Sequence, residues 1–194
     1  CILPDYGSFG HALRYAYFQV ASIITATGYS TANLDLCPEY ARSLLVFIMF
    51  IGACAGSTGG GIKVSRIIII LKASVNEIKR MLNPRSVNLV KVDGNTVDGG
   101  TIHGTLIFVL LYFIILLLSI LVVSLDNLDF TTSVTGVIAC LSNIGPGLSL
   151  AGPLGNFSMF SPVSKIVLSM VMLLGRLEIF PILTLFSPTT WRRN

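Results

Sequence analysis

Residues 103–125, HGTLIFVLLYFIILLLSILVVSL, contain no Asp, Glu, Lys or Arg, and this run limits the possible folds of the chain more than any other feature. A helix that spans a bilayer needs about 20 mostly apolar residues, so the run has the length of a membrane span. The whole chain is 53% hydrophobic and 11% charged, with a mean hydropathy of +0.81. Such values are typical of integral membrane proteins. We therefore predict an all-α integral membrane fold.

Two other segments, 41–72 and 163–186, also have about the length of a span, although glycine-rich sequence interrupts the first of them. Two further apolar stretches, 11–26 and 130–142, are helix-like but too short or too polar to cross a bilayer. We predict that these two are re-entrant pore helices, which enter the membrane without crossing it.

The order of these segments predicts a repeated unit. Each short stretch runs into a glycine-bearing turn, TGYST (27–31) or NIGPG (143–147), and a spanning segment follows each turn. The unit is then a helix, a re-entrant pore helix with its turn, and a second helix, as in potassium channels. One copy occupies residues 1–72 without its opening helix, and the other occupies 103–194. We therefore expect the chain to be a fragment of a longer protein.

The charged residues predict the orientation in the membrane. Segment 63–91 carries seven basic residues against one acid, Glu77, and the chain ends near Arg192 and Arg193. By the positive-inside rule, the linker 73–102 and the C-terminus face the cytoplasm. The basic residues form no face interleaved with aromatic residues, so we expect membrane lipid and no nucleic acid as a partner. The loops that hold the glycine turns carry acids and face the opposite side: Asp5, Asp35, Glu39, Asp126 and Asp129.

The two glycine turns are candidates for an ion filter. A re-entrant turn survives in hydrocarbon only where its backbone carbonyls are buried in protein or line water. Such carbonyls can replace the hydration shell of a cation, and glycine allows successive carbonyls to point at one axis. The alternative is that both are ordinary outer turns, but their placement after matched half-helices favours the filter. The candidate filter residues are Thr27, Gly28, Tyr29, Asn143, Ile144 and Gly145, with potassium on the carbonyls of Thr27, Gly28, Asn143 and Ile144.

The interruption GACAGSTGGGIKVSR (52–66) is a candidate gate below that filter. Each glycine lowers helix propensity by about 1 kcal/mol, so consecutive glycines favour a non-helical loop. Arg176 lies inside an apolar helix and should face protein or water, close to this loop. The alternatives are close helix packing through the small residues and, for Arg176, an arginine that reaches the inner surface. The candidate gate residues are Gly56, Ser57, Thr58, Gly59, Gly60, Gly61 and Arg176.

An enzyme is not expected. The glycine-rich segment fails the phosphate-binding pattern because Ile62 separates Gly61 from Lys63, and a membrane helix rather than a strand precedes it. The sequence offers no nucleophile–base constellation, no paired carboxylates in the spans and no metal-ligand spacing. We expect potassium as the bound ion and no organic cofactor.

Four segments resemble the Trk/Ktr/HKT superfamily of potassium transporters, and within it the bacterial TrkH type. They are TATGYSTAN (25–33), GACAGSTGGGIKVSR (52–66), SNIGPGLS (142–149) and LLGRLEIFPILTLFSPTTWRR (173–193). The resemblance covers essentially the whole chain. It implies the last two of four repeats around one ion path, with the third repeat lacking its first helix.

The resemblance also implies particular roles and partners. Gly28 and Gly145 correspond to the key filter glycines, and 54–61 corresponds to an intramembrane gating loop beside Arg176. Family members form homodimers in the bacterial inner membrane and bind cytoplasmic TrkA-like nucleotide-binding subunits, for which 72–91 is a candidate contact. The expected function is potassium uptake, completed by the N-terminal half of the same protein. The alternatives are a non-conducting scaffold subunit and a sodium- and potassium-permeable member of the superfamily.

Overall fold

The computed structural model describes residues 9–31, 34, 37–52, 54, 56–57, 59–83, 90–92, 94–177, 179 and 181. Helices dominate this part of the chain, and short 3-10 turns lie at Ser124–Asp126, Ser149–Ala151 and Phe157–Met159. The α-helices are α1 (Phe9–Ile24), α2 (Glu39–Phe50), α3 (Val64–Leu82), α4 (Gly99–Val123), α5 (Phe130–Leu141) and α6 (Pro162–Leu177). The strands are β1 (Ile51–Gly52), β2 (Ile62–Lys63), β3 (Lys91–Val92) and β4 (Asn95–Thr96).

α4 is the helix built from the long apolar run. Asp98 caps its N-terminus, because the Asp98 carboxylate accepts a hydrogen bond of 3.0 Å from the Gly100 amide. Among the described residues, one helix, Gly99–Asp126 with its final 3-10 turn, is both long and apolar enough to cross a membrane. The other two predicted spans do not meet that test, since the first is divided into α2 and α3 and the second is described as a continuous helix only to Leu177.

α5 lies at the centre of the packing. All its residues from Thr135 to Leu141 are buried, and it packs against α2, α4 and α6. Its neighbours contribute the large buried side chains of Tyr112 and Met49. Asp129 caps α5, accepting a hydrogen bond from the Thr132 amide. A helix this short cannot cross a bilayer, and the burial of its residues from Thr135 to Leu141 fixes the position of the turn that follows it.

The strands are a feature that the all-α prediction missed. β1 and β2 pair in parallel, with Ile51 opposite Ile62 and Gly52 opposite Lys63, so the two ends of the interrupted helix lie side by side. A Cβ on Gly52 would overlap the Gly60 carbonyl oxygen, so only glycine allows this approach. β3 and β4 form an antiparallel hairpin before α4.

Several helix boundaries differ from the predicted ones. α1 ends at Ile24, two positions before the predicted end at 26, because Ala26 adopts a left-handed conformation with φ of 53°. α3 continues to Leu82, past the predicted end at 72, so the predicted linker 73–102 begins as helix. Glu178, Phe180 and 182–194 lie outside the described residues, and with them much of the C-terminal motif and the end of the predicted span 163–186.

Candidate functional site: two glycine turns and an interrupted helix

The first glycine turn folds back against the end of α1. The Ser22 carbonyl accepts hydrogen bonds from the amides of Thr27 (2.9 Å) and Gly28 (3.3 Å). The buried Ser22 hydroxyl donates to the Tyr29 carbonyl at 2.6 Å, and the Gln19 amide donates to the Ser30 hydroxyl at 2.6 Å. The Tyr29 carbonyl is therefore turned toward α1, while Thr27 and the Tyr29 side chain are exposed.

The second glycine turn leaves the C-terminus of α5 in the same manner. The Ile144 amide donates to the Ala139 carbonyl at 3.0 Å, and Asn143 is left-handed with φ of 54°. After Gly145 the chain returns along α5, where the Thr135 hydroxyl accepts a hydrogen bond of 2.9 Å from the Leu148 amide. Side chains of the preceding helix thus hold each turn: Ser22 and Gln19 of α1 hold the first, and Thr135 of α5 holds the second.

The structure brings the two predicted filter turns together. Gly28 lies so close to Ile144 that a Cβ on Gly28 would overlap the Ile144 carbonyl oxygen and would lie 2.9 Å from Cδ of Pro146. Gly28 also has φ of 78°, which side-chain-bearing residues rarely adopt. Residues of both turns line one open cavity of about 360 Å³, among them Gly28, Tyr29, Gly145 and Pro146. Thr27, Asn143 and Ile144 are not in its lining.

The loop between β1 and β2 packs under the end of α5. A Cβ on Gly60 would lie 2.6 Å from the Ser142 carbonyl oxygen and 3.0 Å from Nδ2 of Asn143. Gly60 and Gly61 are buried, and the Gly59 amide donates to the Ser57 hydroxyl at 3.2 Å. Thr58, the remaining predicted hydroxyl of the loop, lies outside the described residues.

α6 contacts the same end of α5 from another side. A Cβ on Gly175 would overlap the Leu141 carbonyl oxygen and would lie 2.8 Å from Nδ2 of Asn143. The Asn143 side chain donates to the Met172 carbonyl at 3.1 Å, which ties the second turn to α6. We call residues Leu141–Asn143 the α5 corner, because the loop and α6 both pack on it.

Arg176 lies beside the loop that interrupts the helix. It lines a cavity of about 30 Å³ together with Ser57, Gly59 and Gly61 of the loop. Lys63 and Arg66 line the same cavity, so three cationic residues lie next to this part of the loop. A cavity of this size has room for about one water molecule.

Sequence reasoning missed several contacts that support this arrangement. The Arg66 guanidinium lies 3.8 Å from the centre of the Phe108 ring, a cation–π contact between α3 and α4. The Tyr112 and Ser142 hydroxyls are 3.2 Å apart and hydrogen bonded inside the core. Phe108 and Tyr112 stand four residues apart in the apolar run, which indicates one helix face but not the partners of that face.

Comparison with known proteins assigns the chain to a family. The sequence matches the TrkH family model, described as a cation transport protein, over residues 7–193. The chain belongs to the TrkH family. This confirms the predicted resemblance and, at the level of the family, a transport protein rather than an enzyme.

Individual TrkH relatives are similar over nearly the whole chain. The Trk system potassium uptake protein TrkH of Salmonella typhimurium is 37% identical over 180 residues, which are 93% of this chain and 37% of that protein. TrkI of Halomonas elongata is 31% identical over 183 residues, 94% of this chain and 37% of that protein. The crystal structure of the potassium transporter TrkH from Vibrio parahaemolyticus superimposes with a TM-score of 0.83 at 35% identity, covering 98% of this chain and 41% of that chain. The chain thus spans less than half the length of these relatives.

Proposed function

We propose that this TrkH family chain is part of a potassium-uptake transporter in a bacterial inner membrane. Relatives that it matches along most of its length are named potassium uptake proteins. The observation that carries the proposal is the direct packing of Gly28 on Ile144. Two glycine turns that meet in this way are suited to present carbonyls to one dehydrated cation. Thr27, Gly28, Tyr29, Asn143, Ile144 and Gly145 form two quarters of the filter in this proposal.

The gate in this proposal is the loop between α2 and α3. Gly60 rests on the α5 corner, directly after the half-helix that ends in the second filter turn. A loop in that place obstructs the inner half of the path until it moves away. Arg176 adds a positive charge next to the loop, which slows cation passage in the closed state. We include Thr58 as a gate residue because of its position in the glycine-rich segment of the sequence.

The rest of the assembly follows the family pattern. In this proposal the chain supplies the third and fourth repeats, and the N-terminal half of the protein supplies the first two. The linker and the C-terminus face the cytoplasm, where TrkA-like nucleotide-binding subunits contact the transporter. Two such proteins form a homodimer in the membrane.

Replacing Gly28 with Ala in the full-length protein tests the filter. The added methyl group has no room beside Ile144, and φ of 78° is unfavourable for alanine. We expect rubidium uptake by cells lacking other potassium transporters to fall at least about tenfold, since about 1.4 kcal/mol at the filter suffices for that change. Gly104→Ala is the matched control, because Gly104 lies in α4 and an added Cβ would meet no atom within 4 Å beyond its own stretch of helix.

The outcomes separate the alternatives. Lost uptake with unchanged protein in the membrane supports the filter. Lost protein or lost assembly, with residual uptake proportional to the amount present, supports the scaffold alternative. Wild-type uptake that does not distinguish rubidium from sodium supports a sodium- and potassium-permeable member. Unchanged uptake by the Gly28→Ala variant rules out Gly28 as a filter residue.

A further inference from the structure

A groove lined by three lysines lies between α3 and the hairpin before α4, away from the filter and the gate loop. It has a volume of about 280 Å³. We call it the lysine groove, and its lining residues are Leu71, Lys72, Val75, Asn76, Lys79, Val90 and Lys91. The Lys72 ammonium group donates to the Lys91 carbonyl at 2.8 Å, which holds α3 against the hairpin.

The charge of the groove is uncompensated among the described residues. None of its lining residues is acidic. The salt bridge found among the described residues joins Arg42 to Glu39, which do not line the groove. Glu77, the acid of α3, is two positions from Lys79 and therefore points to another side of the helix. Within the described residues, the groove thus presents positive charge with no carboxylate in its lining to neutralise it.

An exposed apolar stripe runs along α3 next to these lysines. Its residues follow one another at intervals of three and four, which places them on one side of the helix. They are Ile68, Leu71, Val75, Ile78 and Leu82, with exposed fractions between 37% and 75%. Leu71 and Val75 belong to both the stripe and the groove, so positive charge and apolar surface are continuous.

We propose that the lysine groove binds the headgroup of an anionic phospholipid, whose acyl chains lie along the apolar stripe. The phosphate matches the lysines in charge, and the acyl chains match the aliphatic side chains beside them. A second copy of the chain on this face would bring a second set of lysines against the first. An acidic segment of a soluble protein would satisfy the lysines but would not need an aliphatic stripe of this length.

Lipid retention by the purified full-length protein tests the proposal. The variant is Lys79→Gln with Lys91→Gln, and Lys72 is kept because of its hydrogen bond to the hairpin. Native mass spectrometry measures retention of phosphatidylglycerol against phosphatidylcholine with the same acyl chains. We expect wild type to prefer phosphatidylglycerol and the variant to bind it roughly 30-fold more weakly, at about 1 kcal/mol for each lysine.

Two controls make the outcome specific. Arg80→Gln with Lys165→Gln removes the same charge outside the groove and should keep the preference, as should Lys79→Arg with Lys91→Arg. Equal retention of both lipids by wild type overturns the proposal. The proposal is also wrong if Arg80→Gln with Lys165→Gln weakens phosphatidylglycerol binding as much as Lys79→Gln with Lys91→Gln does. If the double variant keeps its lipid but no longer binds a soluble acidic regulatory subunit, the groove is a protein-binding surface and the proposal is wrong.

Discussion

Replacing Gly60 with Ala is the most direct perturbation of the proposed gate. The added Cβ would lie 2.6 Å from the Ser142 carbonyl oxygen, whereas ordinary van der Waals contact begins at 3.4 Å. The loop would therefore have to retreat from the α5 corner by roughly 0.8 Å to make room. Gly60 is not among the residues with positive φ, so this contact is the main source of strain in the variant.

In the proposed gate, the strain acts on the arrangement in which the loop touches Ser142. Overpacking of a well-packed site costs about 1–3 kcal/mol. If an open loop no longer touches Ser142, that cost shifts the balance between closed and open states by roughly 5- to 150-fold toward the open state. Because the carbonyl belongs to the backbone directly after the buried end of α5, it cannot move aside as a flexible side chain would.

The assay is rubidium flux into proteoliposomes that contain the full-length protein without its regulatory subunits. We expect the Gly60→Ala variant to show a higher initial rate than wild type at equal protein, with the Gly104→Ala variant unchanged. An unchanged or lower rate, with normal yield and a normal elution profile, would refute the idea that the loop closes the path by resting on the α5 corner.

Three further variants test neighbouring contacts. Gly175→Ala should lower the thermal stability of the purified protein by several degrees, because its Cβ would overlap the Leu141 carbonyl and both partners are helix backbone; an unchanged melting temperature contradicts that packing. Arg176→Ala should raise rubidium flux at least severalfold, and an arginine that only reaches the inner surface would show no effect. Ser22→Ala removes the donor to the Tyr29 carbonyl, so we expect a loss of about 1 kcal/mol in stability and a weaker preference for rubidium over sodium; unchanged selectivity leaves Ser22 a purely structural role.

The sequence predicted the features that depend on neighbouring residues, such as the position of a helix and the place where it ends. The apolar run at 103–125 predicts a long helix, and the structure has α4 there, because length and apolarity are read directly from the residues. Consecutive glycines between 52 and 61 indicate where a helix cannot continue, and α2 ends at Phe50 while α3 begins at Val64. The short helices α1 and α5, and the glycine turns that follow them, could likewise be placed from apolar length and glycine.

Contacts between distant segments could not be read in the same way. The pairing of Ile51 with Ile62 depends on how two helix ends approach each other, and two-residue strands leave no alternating pattern. The bond from the Asn143 side chain to the Met172 carbonyl joins residues 29 positions apart. In the sequence, Gly175 is a small residue in an apolar segment, and the position of α5 shows that a side chain there has no room. The sequence shows which residue stands at each position, but the residue that it contacts in a distant segment depends on how the helices pack.

The α5 corner links the candidate filter to the candidate gate by backbone contact. Asn143 belongs to the second turn, and its side chain lies within about 3 Å of the positions that side chains at Gly60 and Gly175 would occupy. Protein interiors are close-packed, so a displacement of the loop or of α6 is passed on to the group it touches. Since the corner lies at the buried C-terminal end of α5, it can yield little without moving the turn itself. A filter and a gate built this way are not independent, and substitutions at Gly60 that change flux should also change ion preference slightly.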